Sequence, residues 1–402
     1  MEKPYLPFPI FDNLDSIGAM RQNTQLAADE RMTAEFLYSY RGSEATFNAY
    51  RRELERFLLW SKTVINKKLK QLRRPDIESF IEFCQRPPLT WIGTKNVPRF
   101  LIKEGERIPN PEWKPYVVNV SKVVHKEGQK PLIKNYLLST KALESTFSIL
   151  SSFFNYLLQE NFLEMNPVAQ IRQKSKFIRK NQHKAKIRKL SELQWSYVIE
   201  TAEGMAKAEP AAHERTLFMM NALYGMYLRI SELSARPQWQ PKMGDFEQDA
   251  EGNWWFTTVG KGNKERQISV SDAMIAALKR YRQSLGLSPL PARGEITPLL
   301  SKSQGKGSIT STRHIRWIVQ SCFDNAIERM LTDGFKEEAE QLKAATVHWL
   351  RHTGISEDVK RRPREHVRDD AGHTSSITTD RYIDVELQAR ARSAKHKKIK
   401  PD

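Results

Sequence analysis

The chain has 402 residues, and its 65 lysines and arginines against 47 aspartates and glutamates give a formal net charge of +18 at pH 7. This length is typical of two or three domains, and a hydrophobic fraction of 39% excludes wholesale disorder. The two cysteines, Cys84 and Cys322, exclude a disulfide scaffold and an all-cysteine zinc site. The positive excess indicates a polyanionic partner, with duplex nucleic acid as the first candidate and a solvated basic surface as the alternative.

The start of the chain has no signal-peptide pattern, because MEKPYLPFPIFDNLD lacks a basic region followed by an apolar run. The longest uncharged stretch that we find, residues 145–159, is too short and too polar to cross a bilayer. We therefore expect a cytoplasmic protein without a membrane partner, associated with the nucleoid when it is bound to DNA.

Residues 31–171 are predicted to be a helical domain, preceded by an extended arm at 1–30 with prolines at positions 4, 7 and 9. Residues 46–61 carry an apolar stripe at helical spacing. Four charged residues lie mainly on the opposite face: Arg51, Arg52, Glu55 and Arg56. A second helix begins at Pro75-Asp76, and a third follows the apolar positions between Leu143 and Leu157.

Two segments interrupt this helical pattern. Residues 86–138 hold seven prolines, but Trp91, Trp113 and Tyr116 indicate packing, so we predict an ordered insertion and not a free linker. Residues 172–189 contain nine lysines and arginines and no acid. A block of like charge cannot form a core, which predicts a solvated interdomain linker, and it is also suited to lie along DNA phosphates. The candidate DNA contacts are Arg51, Arg52, Lys174, Lys176, Arg179, Lys180, Lys184, Lys186 and Arg188.

Residues 190–402 have a different pattern. A helical region begins at Ser191, and residues 216–227 predict a buried helix. Residues 254–259 and 267–270 predict two strands of a hairpin whose turn is 260–263. Helical patterns then continue from Asp272 into a basic tail.

Two common motifs are incomplete. The sequence Gly260-Lys261-Gly262 lacks the spacing and ending of a nucleotide-binding P-loop. His348 and His352 have the i, i+4 spacing of zinc ligands, but Trp349 stands where the zinc-protease motif needs glutamate. We therefore expect neither a metal nor another cofactor.

Another set of residues suits phosphodiester transfer. Arginine forks match the charge that gathers on the phosphate oxygens, a tyrosine phenol can attack phosphorus, and histidine or lysine can move protons. Each residue also has an ordinary structural explanation, such as surface charge, core packing or turn solubility. The set is Arg229, Lys261, His348, Arg351, His373 and Tyr382.

At these residues the chain resembles the tyrosine recombinases, the phage integrases and Xer-type recombinases, whose signature is Arg…Lys…His-x-x-Arg…His/Trp…Tyr. LRISEL at 228–233 supplies Arg229 and the acidic Glu232, and GKGNKER at 260–266 supplies Lys261, with Lys264 as the alternative. HWLRHT at 348–353 and GHTSSITTDRY at 372–382 supply the remaining four residues. The chain departs from the family at Tyr227, where a small residue is usual, and at 369–371, where an apolar pair is usual.

The resemblance implies a multidomain protein with an all-α core-binding (SAM-like) domain at 31–171 and a mixed α+β catalytic domain at 190–402. Tyr382 would attack a phosphodiester to form a 3′-phosphotyrosyl link, with Lys261 as general acid and His348 as base or stabiliser. Arg229, Arg351 and His373 would stabilise the transition state, and neither ATP nor a metal would be needed.

The implied function is site-specific recombination that integrates, excises or resolves a mobile element. The implied partners are duplex DNA with inverted half-sites, further copies of the chain in a tetramer on DNA, and accessory DNA-bending proteins. Two alternatives are a non-enzymatic DNA-binding relative and a monomeric DNA-relaxing enzyme of the type IB topoisomerase kind.

Overall fold

The structure is a computed structural model that describes residues 6–20, 26–169, 171, 188–260, 262–302, 304–373, 379 and 395. The chain divides into two compact units, residues 1–184 and 185–402, and the division falls within the basic segment 172–189. Each unit has a hydrophobic core of its own. In the described part of the chain, no helix combines the length and the apolar character needed to cross a membrane.

The first unit is a helical domain with an aromatic core. Its α-helices are Leu14–Met20 (α1), Ala28–Tyr38 (α2), Glu44–Thr63 (α3), Arg74–Gln85 (α4), Lys122–Lys126 (α5) and Thr140–Gln159 (α6). Serine N-caps begin α3 and α6, where the Ser43 and Ser139 hydroxyls accept backbone N–H groups. Helices α3, α4 and α6 meet where Phe57 packs edge-on against Phe80 and Phe154.

Residues 86–138 form short strands, 3-10 turns and helix α5. The strands are Ile92–Gly93 (β1), Phe100–Lys103 (β2), Glu106–Pro109 (β3) and Tyr116–Val117 (β4). β1 pairs in parallel with β4, and β2 pairs with β3 in an antiparallel hairpin. Trp91 and Tyr116 are fully buried in the same core as α3, so this segment is part of the packed unit.

The polar face of α3 is covered, which the sequence pattern did not predict. Glu53 and Glu55 are only 4% and 1% exposed. Glu55 accepts hydrogen bonds from Arg99 of the β1–β2 connection, at 2.9 Å for Nε. Arg56 donates to Glu53 and, at 2.6 Å, to the carbonyl oxygen of Pro115. Burial favours the neutral form of Glu53, but the charge of Arg56 lowers its pKa below the usual value. The segment 86–138 therefore supplies both counter-charge and cover for this helix.

The second unit combines helices with one small sheet. Its α-helices are Glu192–Ala208 (α7), Pro210–Gly225 (α8), Ile230–Leu233 (α9), Asp272–Ser284 (α10), Thr312–Thr332 (α11), Lys336–Leu342 (α12), Val347–Asp358 (α13) and Arg364–Ala371 (α14). Phe246–Gln248 (β5), Trp254–Val259 (β6) and Glu265–Ser269 (β7) form an antiparallel sheet in that order. The predicted hairpin corresponds to β6 and β7, whereas β5 was not predicted. The expectation of continuous helical pattern after Asp272 is wrong for residues 285–311, which form turns and short bridges.

Helices α8 and α13 pack closely because of one glycine. A Cβ atom placed on Gly354 would lie 2.1 Å from the carbonyl oxygen of Tyr224, so only glycine fits this crossing. α8 leads directly into the segment that carries Arg229, and α13 carries His348 and Arg351. The crossing therefore brings two separate sequence motifs together.

Candidate active site

Arg229 stands at the amino end of α9, where its position is fixed by Glu232. The backbone N–H of Arg229 donates to Glu232 Oε2 at 2.7 Å, and its Nη1 donates to Oε1 at 2.9 Å. The Arg229 side chain is 28% exposed, whereas that of Glu232 is completely buried. Glu232 thus holds the arginine from the buried side, while part of the Arg229 side chain reaches solvent.

Arg266 on β7 is a member of the site that sequence reasoning missed. Its Nη1 and Nη2 donate to the two oxygens of Glu232 at 2.5 and 3.0 Å, and its Nε donates to the carbonyl oxygen of Asp370 at 3.1 Å. Burial alone raises the pKa of Glu232, but the hydrogen bonds and charge of Arg266, with those of Arg229, lower it below the usual value. The carboxylate is therefore ionised between two guanidinium groups.

Gly260 brings the hairpin against this cluster. A Cβ at Gly260 would lie 3.1 Å from both Arg266 Nη1 and Glu232 Oε1, and 3.4 Å from Arg229 Nη1. The residue after β6 is thus packed tightly against the arginine pair. Lys261, the next residue along the chain, lies outside the described residues, and the alternative Lys264 is exposed.

Arg351 and His373 come together beside the first arginine. Arg351 is 2% exposed and donates to the carbonyl oxygens of Tyr227 and Ala371, the latter at 2.6 Å. Its Nη2 also lies 3.3 Å from His373 Nε2, while His373 Nδ1 lies 2.9 Å from the hydroxyl of Thr379. These contacts fit a neutral imidazole with its proton on Nδ1.

The histidines of the site are held in the neutral form. Burial, followed by the charges of Arg351 and Arg229, lowers the pKa of His373 to about 4 and also lowers that of His348. The His352 ring lies 4.2 Å from that of His348, and burial followed by this neighbour lowers its pKa to about 4. Near neutral pH these rings are therefore uncharged.

The structure brings five of the predicted site residues into one cluster. Arg229 Nη2 donates to the Gly372 carbonyl oxygen at 3.4 Å, which links the Arg229–Glu232 pair to the Arg351–His373 pair. His348 lies close enough to both arginines for their charges to lower its pKa. Tyr382 lies outside the described residues, so its place at this cluster stays a prediction.

The predicted DNA contacts are spread over both units. Arg188 is exposed, whereas the six residues Lys174, Lys176, Arg179, Lys180, Lys184 and Lys186 lie outside the described residues. Arg51 is partly buried and donates to the carbonyl oxygen of Asp12 at 2.5 Å, so it has a structural role that sequence reasoning did not anticipate. Arg52 is 60% exposed and donates to Glu53 at 2.8 Å.

The chain is similar in sequence to curated tyrosine recombinases. The tyrosine recombinase XerC of Alcanivorax borkumensis is 24% identical over 255 residues, which is 62% of this chain and 71% of the relative. A tyrosine recombinase of Thermosipho africanus is 22% identical over 351 residues, which is 87% of this chain and 92% of the relative. No family model matches the chain.

The fold is also similar to that of solved recombinases. XerH site-specific recombinase bound to a palindromic difH substrate has a TM-score of 0.57 and 16% identity, covering 98% of this chain and 99% of that one. The Tn1549 transposon integrase, residues 82–397, in complex with circular intermediate DNA has a TM-score of 0.51 and 14% identity, covering 91% and 98%. The predicted fold class, a helical domain with a mixed α+β catalytic domain, is thereby confirmed. In both sequence and fold, the chain is thus similar to tyrosine recombinases.

Proposed function

We propose that this enzyme cleaves and rejoins duplex DNA at a specific site through a 3′-phosphotyrosyl intermediate. The observation that carries the proposal is the convergence of Arg229, Arg351 and His373 through direct hydrogen bonds and the shared Gly372 segment. Two guanidinium groups beside neutral imidazoles suit a phosphate that gains negative charge during the reaction.

The proposed step begins with attack of the Tyr382 phenol oxygen on the scissile phosphorus. The phenol proton passes to a neutral histidine, with His348 as the candidate, and the bond between phosphorus and the 5′ oxygen breaks. Lys261 donates a proton to that oxygen, which leaves as a 5′-hydroxyl while the 3′ strand stays linked to the tyrosine. Arg229 and Arg351 neutralise the non-bridging oxygens, and loss of one such donor costs about 2.7–4 kcal/mol of transition-state stabilisation.

The test uses a pool of nicked duplexes with randomised half-sites, in which cleavage beside the nick releases a short oligonucleotide and traps the covalent adduct. Strands that remain attached to the protein after denaturation are sequenced, and a recovered duplex is then used alone. We expect wild type and Tyr197→Phe, a matched control at a partly buried tyrosine, to form the adduct. Tyr382→Phe should bind the duplex equally well and form none.

Three outcomes would change the proposal. An adduct that survives Tyr382→Phe would place the nucleophile elsewhere. Sequence-independent relaxation of plasmid DNA, without any preferred duplex, would favour a DNA-relaxing enzyme. Tight binding with no cleavage of any duplex in the pool would favour a non-enzymatic DNA-binding protein.

We also propose that the biological reaction moves a mobile element, through a tetramer that bridges two duplexes with inverted half-sites. Similarity to a transposon integrase solved with circular intermediate DNA supports the reaction on a mobile element.

Sedimentation of the protein with a recovered duplex tests the tetramer, since four chains should associate with two duplexes. A complex that stops at two chains on one duplex would contradict it. Accessory DNA-bending proteins stay a prediction.

The basic segment 172–189 is proposed to lie against DNA phosphates. Each neutralised phosphate releases counterions, so each lost contact should flatten the slope of log affinity against log salt by about 0.9. Replacing Lys174, Lys176 and Lys180 by glutamine should therefore reduce the slope by about 2–3. An unchanged slope would contradict the proposed contacts.

A further inference from the structure

A polar network lies directly behind the arginine cluster and is centred on Arg362. Its Nη1 donates to the Tyr227 hydroxyl at 3.1 Å, and its Nη2 donates to Asp370 Oδ2 at 2.6 Å and to Ser269 Oγ at 2.9 Å. Asp358 accepts the hydrogen bond that the Tyr227 hydroxyl donates. Burial followed by the charge of Asp358 raises the pKa of Tyr227 well above its usual value, which keeps the hydroxyl protonated as a donor.

The network joins the two places where the sequence departs from the usual family pattern. Tyr227 stands where a small residue is usual, and Asp370 stands where an apolar residue is usual. Both residues are buried, and a single guanidinium pairs with both of them. Arg362 thus provides hydrogen bonds to both a buried tyrosine hydroxyl and a buried carboxylate.

The same two segments hold Arg351. One Arg351 nitrogen donates to the carbonyl oxygen of Tyr227, and the other donates to the carbonyl oxygen of Ala371, the neighbour of Asp370. Tyr227 has a positive φ of +51°, a left-handed conformation that tyrosine seldom adopts unless its surroundings impose it. The direction of its carbonyl group therefore depends on what holds its side chain.

We infer that Arg362 is a positioning residue, which sets the orientation of Arg351 by fixing the Tyr227 and Ala371 carbonyl oxygens through Tyr227 and Asp370. This inference rests on the proposed function, because Arg351 matters only if it meets a scissile phosphate. The hydrogen-bond partners of Arg362 are Tyr227, Ser269 and Asp370.

The test measures two quantities for the full-length protein on a duplex recovered from the randomised pool. These are the dissociation constant and the single-turnover rate of adduct formation at saturating protein. We expect Arg362→Gln to leave the dissociation constant unchanged and to slow adduct formation about tenfold or more, since small misplacements of a reacting group have effects of this size. Arg362→Lys should recover part of the rate, because it keeps the charge but lacks the planar fork of donors that meets the separate partners. The matched control is Arg361→Gln, at the exposed neighbouring arginine.

A double-mutant cycle separates positioning from general stability. If Arg362 acts through Arg351, the loss caused by Arg362→Gln should be clearly smaller in the Arg351→Lys background. A loss of equal size in both backgrounds, or no loss, would overturn the inference. If Arg362→Gln does not fold, the isosteric Asp370→Asn replaces it in the same cycle with the same criteria. Failure of wild type to form any adduct would instead refute the proposed function.

Discussion

The buried carboxylate of Glu232 allows a quantitative prediction for the change Glu232→Gln. Its two oxygens accept four hydrogen bonds, two from Arg229 and two from Arg266. A glutamine has the same shape, but its amide NH₂ would face donors in either orientation, so two of the four bonds are lost. Both guanidinium groups also lose their counter-charge.

The size of the effect follows from the burial of these groups. Removing one member of a buried ion pair costs about 3–5 kcal/mol. Because the Arg229 side chain is 28% exposed and partly solvated, we expect the lower end, about 3 kcal/mol in the free energy of unfolding of the second unit. For a unit of this size, that corresponds to a fall in Tm of about 6–12 °C.

Urea unfolding followed by tryptophan fluorescence at pH 7 measures the effect, with Glu328→Gln on the exposed side of α11 as the control. The pKa of Glu232 is lower in the folded protein than in the unfolded chain, so its contribution is complete above the usual glutamate pKa of about 4.3. The contribution is lost as the pH falls through the lower folded value. A variant within about 0.5 kcal/mol of wild type at pH 7 would refute this reasoning.

Two further predictions concern packing and protonation. Gly354→Ala should destabilise the second unit by several kcal/mol, because its Cβ would meet the Tyr224 carbonyl oxygen. The control Gly204→Ala, in open space on α7, should stabilise it by about 0.5–1 kcal/mol. Equal melting temperatures of the two variants would contradict the close crossing. His373 should stay neutral at pH 6 and titrate near pH 4 by NMR. Because its unfolded pKa is about 6.5, the free energy of unfolding should decrease as the pH falls from that value toward 4. Titration near 6.5 would show that burial does not lower the pKa of this ring.

Sequence periodicity predicted the elements whose apolar faces are regular. The amphipathic stripe of residues 46–61 corresponds to α3, and the hairpin strands correspond to β6 and β7. The pattern could not show that Glu53 and Glu55 on the polar side of α3 would be buried. Their cover comes from residues about 40 and 60 positions away along the chain, and local spacing has no information about such contacts.

The site was predicted through motif order, and Arg266 shows what that approach omits. It lies in the same motif as Lys261, but its position is not part of the family signature. A physical signal did exist in the sequence, because side chains two apart on a strand share a face, and the residue two positions after Arg266 is the apolar Ile268. An arginine on the inward face of β7 needs a carboxylate partner, and Glu232 of the first motif was the candidate for that partner.

The covered face of α3 has a consequence for protein engineering. A version of this protein shortened by cutting out residues 86–138 would leave Glu55 without Arg99 and would open the surface around Glu53 and Arg56 to water. Charged positions on α3 and the covering segment would therefore have to be redesigned as one piece.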